Sequence, residues 1–551
     1  MSEPLPAILR YDGPFFRDLR AFLRRSGWPE GLRIAVLSAQ HGLIGALDPI
    51  EPYERRLDPA TAQSLLPRVV DTLRRWSPIP HRVTVIAGAD YCELLQRALE
   101  YLGYPPAETL PGGLLAKRAA FNRLLARFAT GAAPRRDPAQ RPGRLCFFPD
   151  WGDFVDPSFD FVTERSGAPE SGRKRCHVLS LLDEPVCDGI LVSLAQRQGN
   201  KGPLERTRSD GSNATAPQNL RRYYRLRDEY ILFGDCGAFS YVQRDEPTMT
   251  VQEAAFAYHV YGFDLGASVD HIPAPMLPIE ERNRRLRWTL SAAEEFWRLA
   301  RTYQSFHPVG VAHGITARDY ARAVGDLVEM GYRHIAIGGL VFRQDREIAE
   351  IVQAVAAVRD NLRQPLWIHL FGIFRPRLQA LFRQLRIDSF DSASYYRKAW
   401  LRSDQNYLGV DWRWYTAIRV PVSRDPRNRR KLAEKRLRPA DVFDLERRAL
   451  EALVQYGAGQ LSLEETLDSV LAYDSLFDRN DIERRDPRRL YERTLRARPW
   501  ERCPCAVCRA AGIHIVIFRG AERNRRRGLH NMHLLYQKVR DDERIDPPPD
   551  H

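Results

Sequence analysis

The sequence predicts an α/β protein built around a closed (β/α)₈ barrel. From about residue 175, apolar runs of strand length alternate with amphipathic helical runs, and polar residues follow most of the apolar runs. Such regular alternation favours a parallel sheet, and seven or eight repeats favour its closure into a barrel. The predicted divisions are a small α/β domain (1–130), a linker (131–174), the barrel (175–423), an arginine-rich helical region (424–500), a zinc-binding subdomain (501–540) and a tail (541–551). The linker contains an apolar run, 147–157, that we interpret as a strip docked on a neighbouring domain and call the docking strip.

Seven barrel strands can be assigned from apolar runs. They are Gly189–Ala195, Tyr230–Gly234, Gly262–Val269, Val309–Ala312, His334–Ile337, Leu366–Phe371 and Ile387–Phe390. Helical runs lie between most of them, at Glu280–Tyr303, Ala317–Met330 and Arg346–Leu362. The eighth strand is less evident. We expect it either just after residue 391 or at Ile513–Phe518.

The first domain has two buried-strand runs, Arg33–Ser38 and Val83–Gly88, and each run ends in a polar loop. The segments Ser38-Ala-Gln-His-Gly-Leu, Glu51-Pro-Tyr and Ala87-Gly-Ala-Asp-Tyr resemble those of a small domain of unknown function akin to the YaaA group. Ligand sites in α/β sheets gather at such strand ends. We interpret this domain as a nucleic-acid-docking module, with His41 either functional or a structural loop histidine.

The overall charge is basic, with 84 Lys and Arg against 70 Asp and Glu and a net charge of +14. Arginine suits phosphate because its guanidinium donates two parallel hydrogen bonds. The positive charge therefore favours nucleic acid as a partner. The arginine-rich runs at 427–431 and 435–438 are either a solvated helix face or phosphate contacts. No apolar run has the length of a membrane span and the first residues lack signal-peptide features, so we expect a cytoplasmic protein.

Three cysteines lie close together, at Cys503, Cys505 and Cys508, among eight in the chain. Three thiolates within six residues cannot form normal disulfides with one another, but they are well spaced to hold a tetrahedral Zn²⁺. The fourth ligand is His530, with His533 as a close competitor. Four protein ligands leave no open position, so this zinc would be structural.

Polar residues, or glycines that leave the backbone exposed, follow successive barrel strands. They are Asp235, Asp270, His313, the pair Gly338–Gly339, and Asp391. Residues at the carboxyl ends of barrel strands are placed for chemistry, and glycine lets backbone groups approach a ligand closely. These groups are typical of a site for one planar, hydrogen-bonding ligand. The alternative is that each residue only caps a helix or lines a loop.

The same segments, in the same order, resemble the tRNA-guanine transglycosylase superfamily over roughly residues 180 to 540. The resemblance rests on Asp235-Cys-Gly-Ala-Phe, Asp270, His313-Gly, Ile337-Gly-Gly-Leu, Phe390-Asp391 and the Cys503-x-Cys-x-x-Cys…His530-Asn segment. It implies that Asp391 is a nucleophile toward C1′ of a guanosine-type nucleotide, and that Asp235 is the general acid and base. It also implies that Asp270 binds the guanine edge and that Gly338–Gly339 give backbone contacts to the base. Asp388 is then a supporting carboxylate.

Several departures from the tRNA enzymes resemble the divergent DpdA-type branch, which places a 7-deazaguanine in DNA. Cys236 and Ala238 replace other residues after the first aspartate, His313 stands where the family has glutamine, and Ser392–Arg397 differ from the usual run. The resemblance implies exchange of guanine in DNA for a base such as preQ0. The candidate partners are DNA, the deazaguanine base and further proteins of a DNA-modification system. The alternatives are the same chemistry on tRNA, or a non-catalytic zinc-containing nucleic-acid-binding protein.

Overall fold

The computed structural model describes residues 5–26, 28–29, 32–76, 80–128, 136–150, 152–166, 175–195, 220–401, 404–435, 437–477 and 486–545. Parts of the predicted linker (129–135 and 167–174), Trp151 of the docking strip and the end of the predicted tail (546–551) lie outside the described residues. The chain divides into two compact units. The first contains residues 1–142, 191–223 and 231–371, and the second contains 143–190, 224–230 and 372–551.

The beginning of the first unit is a small α/β region, as predicted. Its strands are β1 (Leu5–Pro6), β2 (Ala35–Ser38), β3 (Gly42–Gly45), β4 (Pro49–Ile50), β5 (Val83–Val85) and β6 (Ala107–Thr109). Its helices are α1 (Ala7–Arg10), α2 (Pro14–Ser26), α3 (Pro59–Arg74), α4 (Ala89–Tyr101) and α5 (Leu114–Ala126). The pairs β1–β4 and β2–β3 are antiparallel, and β5–β6 is parallel. Both predicted strand runs therefore contain a strand.

Helix α3 shows how the sequence builds this region. The Asp58 carboxylate accepts the Thr61 N–H at 2.7 Å and caps the helix start. Leu65, Val69 and Leu73 then recur every four residues and are all buried in one cluster. This spacing places them on one face of the helix, which covers the short sheets.

Eight parallel strands form the closed barrel. In chain order the strands are β7 (Leu145–Asp150), the antiparallel pair β8 (Phe154–Val155) and β9 (Cys176–His177) outside the barrel, then β10 (Gly189–Ser193), β11 (Ile231–Asp235), β12 (Leu265–Ala267), β13 (His307–Ala312), β14 (His334–Ile337), β15 (Trp367–Leu370) and β16 (Ser389–Asp391). The barrel order is β10 to β16 in sequence, closed by β7. The predicted barrel is confirmed, and each of the seven predicted runs contains or overlaps a strand.

The eighth strand is β7, and both places expected for it are wrong. Strand β7 begins in the predicted linker and overlaps the predicted docking strip. It pairs in parallel with β16, with Asp391 opposite Phe147. The alternative run, Ile513–Phe518, instead contains β20 (Ile517–Phe518), which pairs with the short strand Ile418–Arg419. All six residues of β7 are buried, so their apolar character reflects the barrel wall.

Helices follow the barrel strands of the first unit. They are α6 (Leu220–Tyr223), α7 (Val251–Tyr261), α8 (Ile279–Tyr303), α9 (Ala317–Met330) and α10 (Asp345–Asp360), and α8 to α10 match the predicted runs. Their ends carry local signals: Thr316 and Asp319 form a capping box at the start of α9, and Gly331 ends that helix with φ of 109°.

The second unit is mostly helical after β16. Its helices are α11 (Gln379–Gln384), α12 (Ser394–Lys398), α13 (Pro426–Glu434), α14 (Pro439–Gly457), α15 (Leu463–Asp474), α16 (Pro487–Ala497), α17 (Ala506–Ala511) and α18 (Gly520–Ile545), and its short strands include β17 (Tyr407–Leu408), β18 (Trp414–Tyr415) and β19 (Ile418–Arg419). The predicted arginine-rich region is helical. Among the described residues, no helix is long and apolar enough to cross a membrane.

Many arginines of the helical region already have carboxylate partners. Arg438 pairs with Asp441 at 2.7 Å, Arg447 pairs with Asp444 at 2.6 Å, and Arg488 pairs with Asp468 at 2.7 Å. These pairs are exposed to solvent, which screens them, so each stabilises the fold only weakly. They favour the solvated-face interpretation over phosphate contacts for these three side chains.

Candidate active site and metal centre

Asp270 is the centre of a buried polar cluster at the carboxyl ends of the barrel strands in the first unit. The Cys236 thiol donates to its Oδ1 at 2.9 Å, and Nε2 of His313 lies 2.6 Å from its Oδ2. Asp270 and His313 are both buried, as is Cys236. The two carboxylate oxygens are therefore fixed from two neighbouring strand ends.

The Cys236 thiol remains protonated in this cluster. Burial, followed by the negative charges of Asp270 and Asp235, raises its pKa well above the usual value for a thiol. A thiol can donate to a carboxylate, whereas a thiolate would repel it. The Tyr241 hydroxyl completes the support by donating to the main-chain carbonyl of Asp270 at 3.0 Å.

The His313 ring has a defined role on each side. Because Nε2 faces the Asp270 carboxylate, we assign the donor role to it, which leaves Nδ1 as the ring nitrogen that can accept a hydrogen bond. Nδ1 is buried and has no hydrogen-bond partner within the described part of the chain. A buried acceptor without a partner is costly, so this nitrogen is available to an N–H donor of a ligand.

Gly338 and Gly339 make room for this imidazole. A Cβ at Gly338 would lie 2.8 Å from His313 Nε2 and would overlap the ring. Gly339 has φ of 73°, a left-handed conformation that favours glycine. The Tyr320 hydroxyl donates to the Gly338 carbonyl at 3.0 Å and fixes the turn. Gly338 therefore leaves space for the His313 ring, and Gly339 allows the left-handed turn that follows it.

Gly338→Ala is expected to destabilise the first unit. The added methyl group has no space beside a buried ring, and overpacking of this kind costs about 1–3 kcal/mol. Thermal melting of the full chain should show a lower midpoint than that of the matched variant Gly325→Ala. Gly325 lies in α9, where a Cβ meets nothing within 4 Å, so that change is neutral or stabilising by up to about 1 kcal/mol. Equal midpoints for the two variants would contradict the packing argument.

Two loops beside Asp270 are held by a fully buried arginine. Arg285 of α8 donates to the carbonyls of Val242 and Arg244, after β11, and of Ile272, after β12. Its Nε also pairs with Glu281 at 2.6 Å. All these acceptors belong to the protein, so Arg285 fixes the loops and is not itself a phosphate-binding group.

Asp235 is the last residue of β11 and is half-buried. Its carbonyl accepts the Leu194 N–H at 2.7 Å, which joins the ends of β11 and β10. Gly237, two residues later, has φ of 85°, and a Cβ there would overlap the Ser193 hydroxyl and Ala195. The turn after Asp235 is therefore tight, and it directs the following Cys236 toward Asp270.

Asp391 ends β16 in the second unit and is buried. Its Oδ1 accepts the Gly372 N–H at 2.8 Å. Asp388 lies before the strand and is half-buried, and its carbonyl accepts the Leu145 N–H at 2.8 Å. The two aspartates thus stand at opposite ends of one strand, and only Asp391 is at the carboxyl end, where barrel chemistry is located.

The predicted metal residues form one buried cluster in the second unit. His530 Nδ1 lies 3.5 Å from Cys503 Sγ, 3.6 Å from Cys505 Sγ and 3.3 Å from Cys508 Sγ. Sulfur at about 2.3 Å and nitrogen at about 2.0 Å from a tetrahedral Zn²⁺ lie about 3.5 Å apart. The four side chains therefore fit one ion, and they can hold a metal.

The surroundings of His530 favour it over His533. Its Nε2 lies 2.7 Å from the Leu408 carbonyl and donates to it, which leaves Nδ1 free to face the cysteines. The Tyr407 ring stacks on the imidazole with centroids 4.2 Å apart. The metal-type cluster contains His530, whereas His533 does not belong to it.

His41 lies in a hydroxyl-rich cluster of the first region. Ser38 Oγ accepts the His41 N–H at 2.9 Å and lies 2.7 Å from the Tyr53 hydroxyl, which in turn contacts the Tyr11 hydroxyl. The His41 ring meets Tyr53 edge-on at 5.4 Å. Burial and Tyr53 raise the pKa of Tyr11. These contacts are compatible with both interpretations of His41.

Comparison with known proteins supports the sequence-based assignment. The chain is 37% identical to the DNA-guanine transglycosylase of Salmonella montevideo over 404 residues, which is 71% of this chain and 96% of that protein. The chain belongs to the guanine transglycosylase family. Residues 240–404 of this transglycosylase also match the family described as queuine tRNA-ribosyltransferase, and residues 1–121 match a family of unknown function, DUF6884. The predicted enzyme class, a pentosyltransferase, is confirmed.

More distant relatives cover only part of the transglycosylase. It is 30% identical to the tRNA-guanine(15) transglycosylase of Pyrococcus furiosus over 188 residues, which is 34% of this chain and 31% of that enzyme. It is 31% identical to the tRNA-guanine(15) transglycosylase of Haloarcula marismortui over 180 residues, 32% of this chain and 35% of that enzyme.

Sequence reasoning did not assign three groups that the structure adds to the transglycosylase site. Cys236 is visible as a departure from the family, but its bond to Asp270 is not. The Gly372 N–H on Asp391 and the Tyr320 hydroxyl on Gly338 were also missed. A polar residue directly after a strand-end aspartate was the available signal for Cys236. The other two depend on backbone positions that no sequence pattern marks.

Proposed function

We propose that this transglycosylase replaces guanine in DNA with a 7-deazaguanine base such as preQ0. The observation that carries the proposal is the 37% identity to a DNA-guanine transglycosylase across 96% of that protein. The buried cluster around Asp270 supports it, because carboxylate and imidazole acceptors suit the N–H groups on the edge of a guanine-type base. Action in the cytoplasm, together with further proteins of a DNA-modification system, is part of the same proposal.

In this proposal, Asp391 is the nucleophile. Its carboxylate attacks C1′ while the bond from C1′ to N9 of guanine breaks, giving a covalent sugar–aspartate ester. The Gly372 N–H on Oδ1 holds the carboxylate in one orientation. The incoming base then attacks C1′ through its N9 and releases Asp391, so two inversions give net retention.

Asp235 is proposed to move the protons. It donates one to the departing guanine and takes one from N9–H of the incoming deazaguanine, so it is restored after each cycle. Its position at the end of β11, with the tight turn at Gly237 behind it, supports a fixed direction for this carboxylate.

Recognition of the base is assigned to Asp270, His313 and the Gly338–Gly339 backbone. Each oxygen of Asp270 keeps a second lone pair, so the carboxylate can accept N1–H and the exocyclic amine while it remains bonded to Cys236 and His313. The buried Nδ1 of His313 offers one more acceptor. Guanine and a 7-deazaguanine share these donors, which is what an exchange reaction requires.

The cluster of Cys503, Cys505, Cys508 and His530 is proposed to hold a structural Zn²⁺. The ion would cross-link α17 and α18 with the loop before them, and four protein ligands would leave it no open position for catalysis. Asn531, the next residue, donates to the carbonyls of Tyr395 and Asn406. Helix α18, which carries both His530 and Asn531, thus supports the segment that follows Asp391.

The same chemistry on tRNA is the second candidate, because residues 240–404 match the queuine tRNA-ribosyltransferase family. The deciding experiment incubates the full chain with radiolabelled preQ0 and either duplex DNA or tRNA. We expect label in DNA, and none with Asp391→Asn on either substrate. Label in tRNA alone would refute the DNA proposal, and label in neither under conditions where DNA binds would refute the exchange activity.

For the first region, we propose docking to nucleic acid, and the predicted domain divisions remain proposals as well. Deleting residues 1–126 should weaken duplex DNA binding in a filter or fluorescence assay while metal content is unchanged. Unaltered affinity would remove this region from DNA docking.

A further inference from the structure

A second group of metal-type side chains lies at the opposite end of the barrel from the strand-end aspartates. His307 is the first residue of β13 and His334 is the first residue of β14, so both mark the amino-terminal end of the barrel wall. Asp137 precedes the short 3₁₀ turn Pro138–Gln140, just ahead of the first barrel strand, and caps that turn through the Ala139 N–H at 2.9 Å. Three separate segments therefore meet at this point.

The three side chains are close enough to share an ion. One ligand atom from each lies within 4.8 Å of the other two. Nε2 of His334 is 3.0 Å from Oδ1 of Asp137, and the two imidazole centroids are 5.3 Å apart. The cluster is largely shielded, since the side chain of His334 is 9% exposed and that of Asp137 is 22% exposed.

The two arginines nearest the cluster pair with another carboxylate. Arg136 is the closest arginine in the chain to Asp137, yet its guanidinium pairs with Asp264 at 3.4 Å. Arg221 pairs with the same carboxylate at 2.6 Å. Both positive charges are thus compensated at Asp264. The His334 ring also packs edge-on against the Trp367 ring, with centroids 5.6 Å apart.

We propose that Asp137, His307 and His334 form a second divalent-metal site, of the zinc class, that clips the segment before β7 to the base of the barrel. Two imidazoles and one carboxylate are a common ligand set for Zn²⁺ and related ions, with water at the remaining positions. The ion takes the place of the proton between His334 Nε2 and Asp137. Because the amino-terminal end of such a barrel serves stability, the role is structural.

The site differs chemically from the cysteine cluster, which makes the two separable. Cobalt bound by three thiolates gives strong thiolate-to-metal charge-transfer absorption, whereas cobalt bound by nitrogen and oxygen gives only weak ligand-field bands. The full chain, stripped of metal and titrated with Co²⁺, should therefore bind two ions. Only one of them should produce charge-transfer absorption.

Substitutions then assign the second ion. His334→Gln and Asp137→Asn should each reduce the metal content from two ions to one and leave the charge-transfer band unchanged. His81→Gln, an exposed histidine of the first region, is the matched control and should keep two ions. Asp137→Asn preserves the side-chain shape, so it decides the matter if His334→Gln fails to fold. One ion in the wild-type chain, or two in Asp137→Asn, would overturn the proposal and leave a hydrogen-bonded clamp.

Discussion

Asp391→Asn is expected to lower base exchange by at least about 10³-fold, the scale on which removal of a covalent nucleophile acts. The amide has nearly the same shape, and its oxygen can still accept the Gly372 N–H that Asp391 accepts at 2.8 Å. It cannot, however, form an ester with C1′. Initial rates with labelled preQ0 measure the loss. A denaturing gel measures the covalent protein–DNA adduct, which should vanish, while DNA affinity stays within about twofold.

The control for this variant is Asp388→Asn, in the residue just before the same strand. Asp388 stands before β16 and not at its carboxyl end, so exchange should remain within a few-fold of the wild-type rate. If Asp391→Asn retained adduct formation, or if Asp388→Asn were the inactive variant, the assignment of the nucleophile would be wrong.

Cys505→Ser is expected to remove the metal of the cysteine cluster and unfold the surrounding part of the second unit. Structural Zn²⁺ contributes about 10–16 kcal/mol of apparent binding free energy at neutral pH, and much of it is folding free energy. In this variant two thiols, a hydroxyl and one imidazole would remain buried together in place of a closed metal site. Metal analysis should show one ion fewer per chain, and limited proteolysis should cut between residues 500 and 530.

Cys92→Ser is the matched control, because Cys92 lies in α4 of the first region and does not belong to the cysteine cluster. Its thiol donates to the Ala87 carbonyl at 3.6 Å. Its metal content and protease resistance should equal those of the wild-type chain. A metal-free Cys505→Ser chain that resisted protease as well as Cys92→Ser would show that the cluster does not need an ion to fold.

Much of the barrel was predictable, because a strand buried on both faces reads as a continuous apolar run and its carboxyl end carries the chemistry. This logic located Asp235, Asp270, His313 and Asp391 at strand ends. It failed for β7, where Pro149 and the neighbouring loop residues concealed a strand. Pro149 nevertheless lies within β7, next to the last residue of the strand, and β7 is one of the eight strands of the closed barrel.

The contacts within the site were not predictable in the same way. Cys236 and Asp270 are far apart in the chain, and their bond depends on the register of β11 against β12, in which Phe233 lies opposite Leu265. The choice between His530 and His533 likewise depended on a carbonyl contributed by Leu408. Residue type and spacing identify candidates, but only the fold selects among them.

Tyr396 belongs to the altered run after Asp391, but its contacts are those of a packing residue. The altered run after Asp391 invites a substrate-specificity interpretation, yet the Tyr396 ring is buried against Phe148 at 4.9 Å, and a Cβ on Gly528 would lie 2.6 Å from it. It is therefore a packing residue between β7 and α18. The neighbouring Tyr395 is half-buried and packs against Trp414, with ring centroids 5.3 Å apart.

The pairing of β16 with β7 also bears on how the chain is made. During synthesis on the ribosome, β7 emerges before the other barrel strands and waits for β16, which emerges last. Until then β7 and β15, the two neighbours of β16 in the barrel, are open edges, and such edges attract other chains. A nascent chain that ends before Asp391 is therefore a substrate for chaperones and proteases. The residue proposed as nucleophile is set in place by the same event that closes the barrel.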